Sequence, residues 1–166
     1  MINYFYGNLF ELVLNQQQRW EQDVHFIIHG CNAQGRMGSG FAKELRSRFP
    51  NAYDDYIAAY EAGNNRLKLG TVVYHAAETD LIIANAITQE FYGYDGAKYV
   101  SYDAIDDVFK ELNHTASLLK TVSGKEEVHF HFPKIGSALG GGDWDVIESI
   151  INHRVTEATK NLYELK

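Results

Sequence analysis

Two stretches of the chain concentrate the residue types from which chemistry is built. Residues 29–45 read HGCNAQGRMGSGFAKEL, a histidine and an asparagine followed by spaced glycines and then a helical pattern. His29 exchanges a proton near neutral pH, and the Asn32 amide can donate and accept at once. Residues 135–144 read IGSALGGGDW, with Gly136, Gly140, Gly141 and Gly142 between an apolar run and a capping aspartate. Glycine permits positive φ and lets a ligand approach the bare main chain, so successive N–H groups ahead of a helix form a concavity for an anion. The competing account of each stretch is a plain turn: an Asx-turn at Asn32, a glycine turn in the second loop.

Neither stretch is a familiar nucleotide fingerprint. A dinucleotide site needs G-x-G-x-x-G directly after a strand, but Gly38, Ser39 and Gly40 lie well past the apolar run, and the third glycine position is Lys43. A P-loop needs Gly-Lys-Ser/Thr after a strand, whereas SGKEE follows a helical pattern and has Glu126 there. Other reactive groups are sparse. Cys31 is the only cysteine, with no Cys-x-x-Cys context, and reads as a buried or loop thiol. His129 and His131 alternate as on a strand, yet no third ligand is identifiable, so a half-exposed strand accounts for them and no metal or cofactor is expected.

The elements that must position these loops follow from periodicity. Ile2–Tyr6 reads as a strand ended by Gly7 and Asn8, and Val24–Gly30 as a strand buried on both faces. Ser39 caps a helix through Phe41, Ala42, Leu45 and Phe49, stopped by Pro50, and a second helix spans about Ala52 to Ala62. LGTVVYHA and DLIIANAIT form a hairpin turning near Glu78–Asp80. Ser101 caps a long helix with Ile105, Val108, Phe109, Leu112, Leu119 and Val122 on its buried stripe. Val128–Ile135 is a strand, Asp143 caps a helix using Trp144, Ile147, Ile151 and Ala158, and NLYELK is a last short strand. Alternating strands and helices imply an α/β layered fold whose ligand sits at the carboxyl ends of the strands, where both glycine loops fall.

Composition narrows the function classes. At 166 residues with 45% hydrophobic content the chain suits one domain, residues 1–166, and neither repeats nor linkers mark a boundary. Twenty-two acidic against fifteen basic residues give a net charge of −7, which argues against non-specific nucleic-acid binding. There is no leader-like N-terminus and no long apolar run, so the expectation is a soluble, cytoplasmic monomer that does not engage membranes.

Taken together, YGNLFE, HGCNAQGRMGSGFAKELRSRFP, LGTVVY, IANAITQ and FPKIGSALGGGDWDVIESII, in this order and spacing, resemble the macrodomain family over essentially the whole chain. The branch is that of ADP-ribose 1''-phosphate phosphatases and ADP-ribosyl-ester hydrolases, the Appr-1''-p processing type, with phage and bacterial members. The resemblance implies a three-layer α/β/α fold around a central mixed sheet and a cleft for ADP-ribose. It places Gly7, Asn8 and Leu9 among the ligand-binding residues, with Asn8 facing the adenine where the family commonly has an acidic residue. It assigns Asn32 to the distal ribose, Met37 to the cleft wall, Gly38, Gly40 and Phe41 to packing around the ribose and diphosphate, and Gly136, Ser137, Ala138, Leu139, Gly140 and Gly141 to the diphosphate, with Ala42 and Ile135 also binding the ligand. Tyr92, Tyr94 and Tyr99 are either a wall over a ribose or loop packing. His29 and Asn32 are the catalytic candidates, His29 as acid, base or orienter of a water. The lysine of one hydrolase subgroup falls near Gln89, and its aspartate near Gly140, which argues against a lysine-dependent mechanism. Asp143 could reach the ligand but is the natural N-cap of its helix. The implied activity is removal of phosphate from ADP-ribose 1''-phosphate; hydrolysis of ADP-ribose from protein or nucleic acid, and binding alone, are the alternatives. If phage-encoded, the protein works in the host cytoplasm.

Overall fold

The computed structural model describes residues 1–15, 22–38, 40–93, 95–137 and 140–165. Among these residues six strands form one sheet: β1 (Asn3–Tyr6), β2 (Asp23–Asn32), β3 (Val72–Glu78), β4 (Leu81–Gln89), β5 (Glu127–Phe132) and β6 (Thr159–Glu164). Their spatial order is β1-β6-β5-β2-β4-β3. All neighbouring pairs are parallel except the β3–β4 hairpin, which is antiparallel. The sheet is therefore mixed, and the first and last strands of the chain lie side by side.

Helices cover both faces. The amphipathic α4 (Tyr102–Ser123) and α5 (Trp144–Arg154) pack on one face, where Phe26, Ile28, Phe130 and Phe132 meet Ile105, Phe109, Leu112, Ile147 and Ile151. The other face carries α1 (Leu9–Leu14), α2 (Gly40–Arg48) and α3 (Pro50–Ala62). There Ile27, Leu81 and Ile83 meet Phe10, Val13, Leu45 and Ala52, while Cys31, Met37, Tyr56 and Ile87 form an adjoining cluster. This is the three-layer α/β/α arrangement. β2 and β4 are central and buried on both faces, which is why their sequences are almost continuously apolar.

Local signals place the helix ends. Ser101 Oγ accepts from the Ala104 amide at 3.1 Å, and Gly124 closes α4 in the left-handed conformation that glycine tolerates. Asp143 caps α5 by accepting from the Asp145 amide at 2.9 Å. Pro50 stops α2 and opens α3, where a missing N–H costs nothing. The Ser39 cap lies outside the described residues.

Several boundaries differ from the sequence reading. β2 runs on to Asn32, because pairing with β4 continues through Cys31 and, after a register shift, joins Asn32 to Gln89. β5 ends at Phe132 instead of Ile135, since Pro133 has no N–H for the ladder. α5 ends at Arg154, so Ala158 lies outside it and packs from the following turn. Val122 is 75% exposed, the last turn of α4 having passed beyond the sheet. α1, absent from the sequence reading, forms because Asn8 accepts from the Glu11 amide at 3.2 Å and Leu9, Phe10 and Val13 are buried on one side.

Candidate functional site

β2 and β5 are parallel neighbours, so the loops that leave their carboxyl ends emerge side by side. Between these loops, the β1–α1 turn and the start of α2 lies a cleft of about 760 Å³, within the ordinary size range of small-molecule sites. Its wall includes Gly7, Asn8 and Leu9 from the first turn, His29 and Asn32 from β2, and Met37, Gly38, Gly40, Phe41 and Ala42 from the segment into α2. Ile135, Gly136 and Gly140 contribute from the second glycine loop. Three distant stretches singled out from the sequence are thus brought to one cavity.

Other assigned residues stand apart. Ser137 turns its hydroxyl to the Lys134 carbonyl at 3.0 Å, and Gly141 is packed against the backbone of Ala97 and Lys98; neither lines the cleft. Ala138, Leu139 and Tyr94 lie outside the described residues. Tyr92 lines the cleft, whereas the Tyr99 hydroxyl donates to Asp95 at 2.8 Å in the surface loop.

Two glycines in the cleft have conformational reasons to be glycine. Gly136 has φ +78°, and a Cβ there would come within 2.6 Å of Val100 Cγ2. Gly40 has φ +60° with nothing near a Cβ, so its backbone faces open space at the start of α2. The Gly136 carbonyl accepts from the Gly142 amide at 2.8 Å, which turns this loop back on itself, and the Gly140 carbonyl accepts from the Tyr99 amide at 2.7 Å, which ties the loop to the segment before α4.

Asn32 is an anchor for its own loop. Its Oδ1 accepts from the Gln34 amide at 3.0 Å, the Arg36 amide at 3.3 Å and the Tyr56 hydroxyl at 3.1 Å, and its Nδ2 donates to the Arg36 carbonyl at 2.9 Å. This is the Asx-type account of the residue, realised at the cleft wall. Asn8 likewise combines its capping bond with donation from Nδ2 to Glu44 Oε1 at 3.0 Å, so a carboxylate stands beside the uncharged asparagine.

His29 lies inside β2, three residues before its end, and is only 1% exposed. Its Nε2 is 2.6 Å from Asn85 Oδ1. The Asn85 amide is fixed by donation from Nδ2 to the Ala52 carbonyl at 3.2 Å, so its oxygen accepts and His29 Nε2 carries the proton. Burial drives the imidazole pKa down to about 4, an effect only partly offset by the bond to Asn85. The ring is therefore neutral at pH 7, with its lone pair at Nδ1. Cys31, 3.5 Å from His29 Nε2, is also buried, which pushes its thiol up and leaves it protonated.

Sequence reasoning missed several lining residues. Arg36 and Arg46 bring positive charge to the wall, Arg46 lying 3.7 Å over the Tyr53 ring, and Lys134 pairs with Glu164 at 2.6 Å. The pairing with Glu164 raises the Lys134 pKa. These are local cations in a protein of net charge −7. Arg36 sits within the loop read from the sequence, but only folding brings Arg46, Tyr53 and Lys134 to it. Gln89 lines the cleft and donates to the Phe91 carbonyl at 2.7 Å. His129 and His131 share a face but not a half-exposed strand: His131 is buried and lies 2.9 Å from His25.

No family model matches the chain. It is 30% identical over 129 residues to an uncharacterised 17.5 kDa protein of Enterobacteria phage T4, covering 76% of this chain and 77% of the relative. It is 29% identical over 168 residues to a protein of Scheffersomyces stipitis named ADP-ribose 1''-phosphate phosphatase, covering 91% of this chain and 93% of the relative. Among solved structures, a macrodomain protein from Streptomyces coelicolor superposes with TM-score 0.73 at 26% identity, covering 99% of each chain.

Proposed function

The chain belongs to the macrodomain family, and on that premise we propose that it binds ADP-ribose in the cleft and converts ADP-ribose 1''-phosphate to ADP-ribose. The observation that carries this reading is the convergence of both glycine loops on one 760 Å³ cavity at the carboxyl ends of β2 and β5. Its likeness to the S. stipitis phosphatase over nine tenths of both chains supports the choice of reaction.

In this reading Asn8 and the adjacent Glu44 take the adenine side, and Gly136, Gly140 and the amides around Gly38 and Gly40 take the diphosphate, with Arg36 as the nearby cation. Asn32 holds the loop that faces the distal ribose. A water attacks the phosphorus, the bond from phosphorus to the ribose 1''-oxygen breaks, inorganic phosphate leaves, and the ribose oxygen gains a proton to restore the hydroxyl. His29 cannot supply that proton near pH 7, because its one N–H is committed to Asn85 and its conjugate acid forms only near pH 4. The atom left to orient the attacking water is Nδ1, which the Cys31 thiol also faces at 3.8 Å, with fixed backbone donors stabilising the charge that develops. Two further parts of the proposal are the monomeric state and the cytoplasmic compartment, the host's if the chain is phage-encoded; among the described residues no helix is long and apolar enough to cross a membrane.

Calorimetry with ADP-ribose tests the binding half: saturable heat at one ligand per chain is expected, and absence of heat at millimolar ligand would sink the reading. Binding without phosphate release from ADP-ribose 1''-phosphate would leave a binding module.

A further inference from the structure

The parallel register sets His25 beside His129 and Asp23 beside Glu127, so all four side chains leave the sheet on the face that also carries Ile27 and His29. The group stands at the starting ends of β2 and β5, roughly 13 Å along the strand from His29, given a rise of about 3.3 Å per residue. One ligand atom from each of Asp23, His25 and His129 lies within 4.8 Å of the other two. Asp23 Oδ2 is 2.9 Å from His129 Nε2, and Glu127 Oε2 is 3.7 Å from the same nitrogen.

We propose that Asp23, His25 and His129 form a binding site for a divalent transition metal of the zinc class, separate from the cleft, with Glu127 within reach of the fourth position. Two imidazoles and a carboxylate are a donor set that zinc accepts. Tetrahedral zinc with bonds of about 2.0 to 2.2 Å holds its ligand atoms about 3.3 Å apart, and the present spacings bracket that value. The supporting bonds are of the kind that orient metal-binding histidines: His25 Nδ1 is 2.9 Å from His131 Nε2, and His131 Nδ1 is 2.8 Å from the Tyr163 hydroxyl. With Nδ1 held there, Nε2 is the nitrogen of His25 that a metal would take.

The His25 ring centroid is 4.9 Å from that of His129 and 5.2 Å from that of His131. The site remains reachable, because the Asp23 and His129 side chains keep 18% and 17% of their exposure.

The test uses tag-free protein stripped with EDTA, dialysed, and titrated with ZnCl2 by calorimetry. One ion per chain at micromolar affinity or tighter is expected, weakened by at least about tenfold in both Asp23→Asn and His129→Ala. His75→Ala, which removes a surface histidine paired with Asp55, should bind as the wild type does. A rise in Tm with ZnCl2 in the wild type but not in Asp23→Asn gives a second readout on a conservative variant. Absence of binding, binding of unchanged strength in Asp23→Asn, or loss of binding in His75→Ala would overturn the proposal. None of these readouts involves ADP-ribose, so they stand or fall independently of the phosphatase reading.

Discussion

At the start of β2, His25 packs against two other imidazoles, with a carboxylate close by and helices over the face; four residues later on the same strand and face, His29 has an amide on one nitrogen and a cleft beside it. Strand alternation alone put both rings on that side. What separates them is where the neighbouring strands end. At the starting ends β5 contributes His129 and His131, and the result is a mutually supporting ladder. At the carboxyl ends β5 has already stopped at Pro133, and the glycine loops open space instead of filling it. The first arrangement suits holding an ion, the second holding a ligand, and the contrast can be broken or sharpened by substitutions that load the two ends unequally.

The largest effect should come from the layer that both ends share. Phe130 lies fully buried on the opposite face, against Phe26. Phe130→Ala should cost about 3 to 5 kcal/mol, measured by urea unfolding, and so weaken both ends together. A smaller loss, or one confined to either end, would mean the ends are less rigidly joined than one sheet implies.

Acid should expose the cost of neutral histidines. His29 has a folded pKa of about 4 against an ordinary 6.5. Between those values the unfolded state binds more protons, so stability must fall as pH falls through the window, by about 3 kcal/mol from this ring. His131 acts in the same direction. Unfolding curves from pH 7 to 4 should show the slope, and His29→Gln should reduce it without removing it; an unchanged slope would contradict the neutral assignment of His29.

Cleft substitutions should act on ADP-ribose binding and leave the histidine ladder alone. Gly136→Ala forces a side chain into positive φ and into Val100, a strain of about 1 to 3 kcal/mol. ADP-ribose affinity should drop roughly 5- to 100-fold, at about 1.4 kcal/mol per tenfold, while zinc affinity at the histidine ladder stays put. The smallest effect belongs to Asn8→Ala, which removes the α1 cap and should lower stability by about 1 kcal/mol, with a modest loss of ligand as Glu44 is released. A stability change near zero would remove Asn8 as a cap.

How much of this was legible beforehand depends on whether the determinant was local. Caps at Ser101 and Asp143, the proline between α2 and α3, and the apolar runs of β2 and β4 are written in neighbouring residues, and the elements follow them. The two glycine loops could be paired because both follow strands of an α/β pattern. Contacts across long separations could not be read: His25 meets His131 only once β2 and β5 pair in register, and His29 meets Asn85 only through β4. For the same reason the strand carrying His29 was read as ending at Gly30, although pairing with β4 carries β2 two residues further. α1 escaped notice because it is a single short stretch whose stability comes from packing Phe10 and Val13 instead of from a long periodic pattern.

The central claim is that the chemistry belongs to the cleft end. Tag-free protein incubated with ADP-ribose 1''-phosphate in excess EDTA, at pH 7, measures it directly. Catalytic release of inorganic phosphate with one ADP-ribose formed per phosphate, undiminished by the chelator, is the predicted result. No phosphate release, from protein that calorimetry shows to bind ADP-ribose, would contradict it.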